Sequence, residues 1–175
     1  LVVLTDADCY PATNQWLKQV VSGYATDDKA IVLGYGAYEK KPGRLNRRIR
    51  YETFLTALNY LSFALAKLPY MGVGRNLSYQ KGLFFSTNGF FDHRQIPSGD
   101  DDLFINKVAT KKNTEIVISP DAFTYSPPKE TREEWIEQKT RHMSTARYYR
   151  AKHKFWLALQ PISHILFWIT SLYLL

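Results

Sequence analysis

Two aspartates one residue apart, Asp6 and Asp8, follow Thr5 and the apolar run Leu1-Val2-Val3-Leu4. Carboxylate oxygens suit a hard divalent cation whose other partners are commonly phosphates. In open α/β sheets, ligands bind beyond strand ends. The opening of the chain therefore reads as a metal–diphosphate site at the tip of a buried strand. Asp is also common in turns, so the pair gains weight only from its companions. A second acidic cluster is Ser98-Gly99-Asp100-Asp101-Asp102-Leu103-Phe104. Three adjacent carboxylates repel one another unless a cation or a task offsets the cost. The start of a helix offsets part of it, and a carboxylate aimed there into a cleft can act as general base. The plainer alternative is an acidic helix cap. The third element is Gln138-Lys139-Thr140-Arg141-His142. Helical spacing puts positions 138, 141 and 142 on one face. An amide and a guanidinium there can hold phosphate oxygens, the arginine as a bidentate fork. His142 reads as a surface histidine. Cys9, beside the first acidic pair, reads as a buried spectator thiol in preference to a nucleophile.

These side chains need an alternation of strands and helices to position them. The sequence predicts strands over Leu1–Thr5, Ala30–Gly34, Asn76–Gln80 and Thr114–Ile118. It predicts helices over Asn14–Tyr24, Leu45–Leu68, Asp100–Lys112 and Thr131–Lys152. In the first helix, Trp16, Leu17, Val20 and Val21 share a side, and Thr13 is the expected N-cap. The second changes character midway. Asn46-Arg47-Arg48-Ile49-Arg50 is basic, and Phe54 to Leu68 is apolar and aromatic. Such a helix fits either a membrane surface, with arginines at the headgroups, or an ordinary core. Pro69 to Asn76 breaks it, and Ser126-Pro127-Pro128 is a turn or extended linker. The pattern is that of an α/β layered domain.

The chain has 175 residues, a net charge of +7 and one cysteine. One domain with a real core fits that length. The single cysteine excludes an internal disulfide. The basic balance, with an isoelectric point near 9.4, favours an anionic partner: a phosphorylated substrate, a membrane surface or nucleic acid. No nucleic-acid-binding module accompanies the charge, so nucleic acid is the weakest of the three. Phe155 to Leu175 is predominantly apolar and follows a basic cluster of Arg147, Arg150, Lys152, His153 and Lys154. That is the pattern of a membrane helix entered from a cytoplasmic charge belt, with Trp156 at the interface; Gln160, Pro161, Ser163 and His164 leave an amphipathic C-terminal core helix as the alternative. Both ends fall inside strand-like or apolar runs, as in a fragment of a longer protein.

Taken in order, Asp6-x-Asp8, Gly72-Val73-Gly74-Arg75-Asn76, Gly99-Asp100-Asp101-Asp102-Leu103 and Gln138-x-x-Arg141-His142 resemble the catalytic region of membrane-anchored family 2 glycosyltransferases. The layout is similar to that of cellulose and hyaluronan synthases, and the resemblance covers essentially the whole chain. It implies an α/β fold of GT-A type, a Rossmann-like layered mixed sheet with flanking helices followed by a C-terminal transmembrane helix. Residues 1–152 then form the C-terminal part of the catalytic domain, and residues 153–175 the start of a membrane-spanning segment. By the same resemblance, Asp6 and Asp8 hold Mg²⁺ or Mn²⁺ and the nucleotide diphosphate. Asp100, counted back from Leu103, is the catalytic base. Gln138 and Arg141 match the family's QxxRW motif, and Gly72, Gly74 and Asn76 belong to a segment beside the donor sugar. The implied activity is inverting transfer from a nucleotide-diphosphate sugar to a glycan or lipid-linked acceptor. The implied location is the cell membrane, with the catalytic domain on the cytoplasmic face. The sequence departs from the pattern twice. His142 stands where the family has Trp, which removes an aromatic platform for the acceptor. The family's earlier nucleotide-binding strands fall before Leu1. A different class also fits: a catalytically inactive, membrane-associated nucleotide-sugar-binding or scaffold protein. A metal-dependent phosphoryl transferase fits less well, because Gly72 to Arg75 is not a lysine-bearing phosphate loop.

Overall fold

A computed structural model of the chain describes residues 1–96 and 98–174. Its strands are β1 (Val2–Leu4), β2 (Tyr10–Pro11), β3 (Ile31–Leu33), β4 (Gly36–Tyr38), β5 (Leu77–Tyr79), β6 (Thr114–Ile116) and β7 (Thr124–Ser126). Its helices are α1 (Trp16–Ser22), α2 (Arg44–Leu65), α3 (Lys81–Ser86), α4 (Asp100–Val108), α5 (Arg132–Met143) and α6 (Ala151–Leu174). The strands form two mixed sheets. The larger has the order β1-β5-β3-β6, with β5 antiparallel to both neighbours and β3 parallel to β6. The smaller has the order β2-β7-β4, antiparallel then parallel. The chain is thus mixed α/β, with one long apolar helix at its C-terminal end.

The core lies where β3 and β5 meet α2 and α4. Ile31, Val32 and Leu33 are β-branched or branched side chains, and all are buried. They suit the pleated surface of a strand covered on both faces. Leu33 joins Leu77, Tyr60, Leu103, Phe104 and Ile105 in one cluster. Full burial of each aliphatic side chain contributes about 1.5–3 kcal/mol. Because α4 is anchored by Leu103, Phe104 and Ile105, its acidic first turn is fixed in place. Gly99 starts that helix with φ of +80°, and a Cβ on it would come within 2.3 Å of Thr145 Cγ2. A side chain there is excluded on both counts.

Several expectations need correction. The first strand is an edge strand and only half-buried, because nothing pairs with β1 beyond β5 among the described residues. Leu17 and Val21 are exposed, while Val20 is buried on α1. Thr13 does not cap α1. Its Oγ1 accepts from the Gln15 amide and donates to the Asp121 carbonyl, tying the preceding turn to the loop before β7. The helix expected over Thr131–Lys152 is two helices. The first, α5, opens with a capping box between Thr131 and Glu134 and ends at Met143. The interruption has a tertiary cause. Tyr149 Oη and Thr145 Oγ1 donate to Asp102 Oδ2 at 2.6 and 3.0 Å, and the Arg150 amide donates to Asn106 Oδ1 at 3.0 Å. A buried acceptor left without its donors costs about 1–3 kcal/mol, more than the ordinary backbone bonds lost. The boundary expected at residue 153 falls inside α6. His153 is buried against the domain, and from Phe155 onward the helix is mostly exposed. It is long and apolar enough to cross a membrane; Leu175 lies outside the described residues.

Candidate active site

The end of β1, the loop before β5, the start of α4 and the inner face of α5 converge on one cleft of about 680 Å³. That is the size of a cofactor or substrate site. Asp6, Asp8, Gly72, Gly74, Asp100, Gln138 and Arg141 all line it. Motifs separated by more than 130 residues of sequence are thus brought to one surface. Asn76 is not among them. It is 2% exposed and lies behind the cleft. Its Nδ2 donates to the Tyr35 and Ala122 carbonyls at 3.0 and 2.7 Å, and its Oδ1 accepts from Trp16 Nε1 at 3.3 Å. It joins the larger sheet to α1 and the loop before β7, and it does not line the cleft with the other residues expected beside a donor sugar.

Carboxylates form one group in the cleft. Asp6, Asp8 and Cys9 offer ligand atoms within 4.8 Å of one another. Loss of solvent raises the Asp6 carboxyl above its ordinary range; the Arg75 cation pulls it down, and Asp8 and Asp100 push it up again. A cation relieves that repulsion, and paired carboxylates suit Mg²⁺ or Mn²⁺. Cys9 is a poor part of such a set. Loss of solvent raises its thiol pKa, which keeps the sulfur protonated and argues equally against a nucleophilic role.

Basic side chains share the cleft with these carboxylates. Arg75, Lys129, Lys139 and Arg141 line it. Arg75 is held by Ser126 Oγ at 3.2 Å and lies 4.4 Å over the Tyr38 ring. Tyr38 Oη donates to Gln138 Oε1 at 3.4 Å, so the amide is turned by the same group. Glu52 on α2 pairs with Arg48 at 3.3 Å and Lys139 at 3.5 Å, and Arg48 stacks 4.9 Å over Trp135. These contacts clamp α5 against α2. Partial loss of solvent, with repulsion from Arg141, Lys139 and Arg75, pushes His142 down to about 4. Its imidazole is neutral at pH 7. Arg75 and Lys139 were legible only as neighbours of quoted motif residues, and Lys129 and Tyr38 carried no sequence signal.

The three consecutive aspartates have three different environments. Asp102 is buried and accepts from Tyr149 and Thr145. Asp101 Oδ2 accepts from the Gly74 amide, so it fixes the glycine loop to α4. Asp100 is exposed, lines the cleft and has no hydrogen bond or ion pair from its side chain among the described residues. Burial raises Asp102 from 3.8 to about 7, against the lowering pull of Tyr149 and Thr145. The native state therefore holds this proton more tightly than the unfolded chain. The linked stability is fully present below pH 3.8 and is lost as pH rises to about 7, by at most about 4 kcal/mol. Asp102→Asn is expected to flatten the stability profile between these limits and leave the variant relatively more stable at pH 8 than at pH 4. Thermal unfolding of both proteins across that range checks it.

No protein-family model matches the chain, and no curated protein matches it.

Proposed function

We propose that the chain is part of a metal-dependent inverting glycosyltransferase of family 2 type, with a GT-A fold. It moves a sugar from a nucleotide-diphosphate sugar to a glycan or lipid-linked acceptor at a membrane. The observation that carries this reading is one cleft lined by Asp6, Asp8 and Asp100 together with Arg75, Lys129, Lys139 and Arg141. The acceptor hydroxyl attacks the anomeric carbon from the face opposite the diphosphate. The new carbon–oxygen bond forms as the bond to the diphosphate breaks, and Asp100 takes the hydroxyl proton. Arg75, Lys129, Lys139 and Arg141 hold the charge that develops on the leaving phosphates. Gln138, turned by Tyr38, offers an amide to the same oxygens. Mg²⁺ or Mn²⁺ held by Asp6 and Asp8 supplies further neutralisation of the diphosphate when bound. His142, uncharged at neutral pH, neither protonates the acceptor nor repels the cationic side chains. The long apolar helix α6 supports location at a membrane. The basic cluster before it favours a catalytic domain on the cytoplasmic face of the cell membrane.

The test is nucleoside-diphosphate binding by the full chain, with UDP and GDP titrated in parallel in Mn²⁺. At least one is expected to bind only with metal present. Asp8→Ala is expected to weaken that binding at least about tenfold, equivalent to 1.4 kcal/mol. Equal affinity in EDTA overturns the metal–diphosphate reading.

A further inference from the structure

The helix α2 has two faces of opposite character. Ile49, Thr53, Ala57, Tyr60 and Leu61 face the domain and are buried. The other face carries Arg44, Arg47 and Arg48 in its first turns and Tyr51, Phe54, Leu55, Leu58 and Leu65 beyond them. Spacings of three, four and seven residues put these on one stripe about 120° wide. Phe54, Leu55, Leu58 and Leu65 are 42–60% exposed. A contiguous apolar strip of this kind on a surface marks an interaction site. Arg44 and Arg47, at its basic end, form no ion pair among the described residues.

The neighbour of this strip indicates what covers it. Asn59, at the edge of the stripe, donates to Gln160 Oε1 of α6 at 2.8 Å and accepts from Tyr70 Oη at 2.6 Å. Tyr70 in turn lies against the ring of His153, near the base of α6. So α6 leaves the domain alongside the apolar half of α2. Exposed apolar side chains on α6 begin at Phe155 and Trp156. Gln160 lies five residues further on, about 7 Å along the axis. An interfacial helix sits about 5–10 Å into the boundary between headgroups and acyl chains, which matches the level at which α2 meets α6.

We propose that the outward face of α2 lies on the bilayer that α6 enters. The helix is tilted, its C-terminal half among the acyl chains and Arg44 and Arg47 at the lipid phosphates. Lys67, just past the helix end, is exposed. The cleft is on the opposite side of this helix, lined by Thr53, Ala57 and Tyr60, about one helix diameter of 10 Å from the lipid. The inference rests on α6 as a membrane span and is independent of the chemistry in the cleft.

Spin labels test it in the full chain, in a Cys9→Ala background. Phe54→Cys, Leu58→Cys and Leu65→Cys replace exposed residues and carry the labels. Asp28→Cys, exposed and far along the chain from α2, is the aqueous reference, and Ile165→Cys reports on α6. The protein is reconstituted in vesicles of phosphatidylcholine with about 30% phosphatidylglycerol, a source of anionic headgroups. Labels at 54, 58 and 65 are expected to collide with a water-soluble nickel chelate at least about fivefold less often than the label at 28, and more often with oxygen. Nickel access equal to that at residue 28 overturns the proposal. So does shielding from both nickel and oxygen, which means that protein covers the face. The label at 165 separates the two readings: lipid exposure there with aqueous labels on α2 leaves the span standing and removes the surface.

Discussion

Asp100→Asn is expected to lower sugar transfer about 10²-fold or more while leaving nucleotide affinity within about twofold. The first figure is the usual contribution of a positioned general base. The second follows from the proposed roles, in which Arg75, Lys129, Lys139 and Arg141 hold the phosphates and Asp100 does not. Asparagine keeps the shape of the side chain and removes only the proton acceptor. The environment of each aspartate sharpens the comparison. Asp101→Asn keeps an acceptor oxygen for the Gly74 amide but replaces a charged one with a neutral one, so its first effect is on the order of the glycine loop, and it raises KM before it lowers kcat. Asp102→Asn acts on stability, through Tyr149 and Thr145. Measured rates and donor affinities for the three variants in parallel decide the register. If Asp101→Asn alone abolishes turnover with binding intact, the base sits one residue later and the mechanism stands. If all three transfer sugar at near the original rate, the acidic run is a helix cap, and a nucleotide-sugar-binding scaffold becomes the better account.

How much of this was legible in the sequence depends on the range of the forces involved. The strand before Asp6, the buried strand at Ile31–Leu33 and the long helix after Gly43 are legible from short apolar runs and from a long stretch without Pro or Gly, and lie within a few residues of the expected bounds. The basic and apolar halves of α2 are legible as well, since they are written in order, but its buried and outward faces are not. The smaller sheet was not. Its strands have two or three residues, too few for any period, and β4 pairs with β7 across more than 80 residues. The break between α5 and α6 was hidden for a related reason. Ser144 to Arg150 has an acceptable helical composition, and only the buried Asp102 carboxylate, 40 residues earlier, pulls it open. The cleft shows the same division. Aspartates, Gln138 and Arg141 were visible through spacing, whereas Lys129 and Tyr38 reach it through the β7 and β4 positions that spacing did not reveal.

Asn76 is the sharpest case, because a single substitution separates a binding role from a structural one. Asn76→Ala is expected to destabilise the fold by about 3–5 kcal/mol, with little change in nucleotide affinity below the melting transition. The amide makes two donations and one acceptance inside the protein. Its removal leaves the Tyr35 and Ala122 carbonyls and Trp16 Nε1 without their partner, and each buried polar group left unpaired costs about 1–3 kcal/mol. The site cannot close to compensate. Gly34 presses its backbone against the amide so closely that a Cβ there would lie 2.5 Å from Asn76 Cγ, and truncation opens a polar void between rigid backbones. A protein of this size loses about 2–4 °C per kcal/mol, so the melting temperature is expected to fall by about 10 °C. Asn76→Asp keeps the acceptor for Trp16 but has no donor for the two carbonyls and buries a charge. It is expected to be at least as damaging as alanine. A donor-sugar ligand predicts the reverse pattern: melting temperatures unchanged, and nucleotide-sugar affinity falling tenfold or more in both variants. Thermal unfolding and nucleotide-sugar titration on the same preparations distinguish the two.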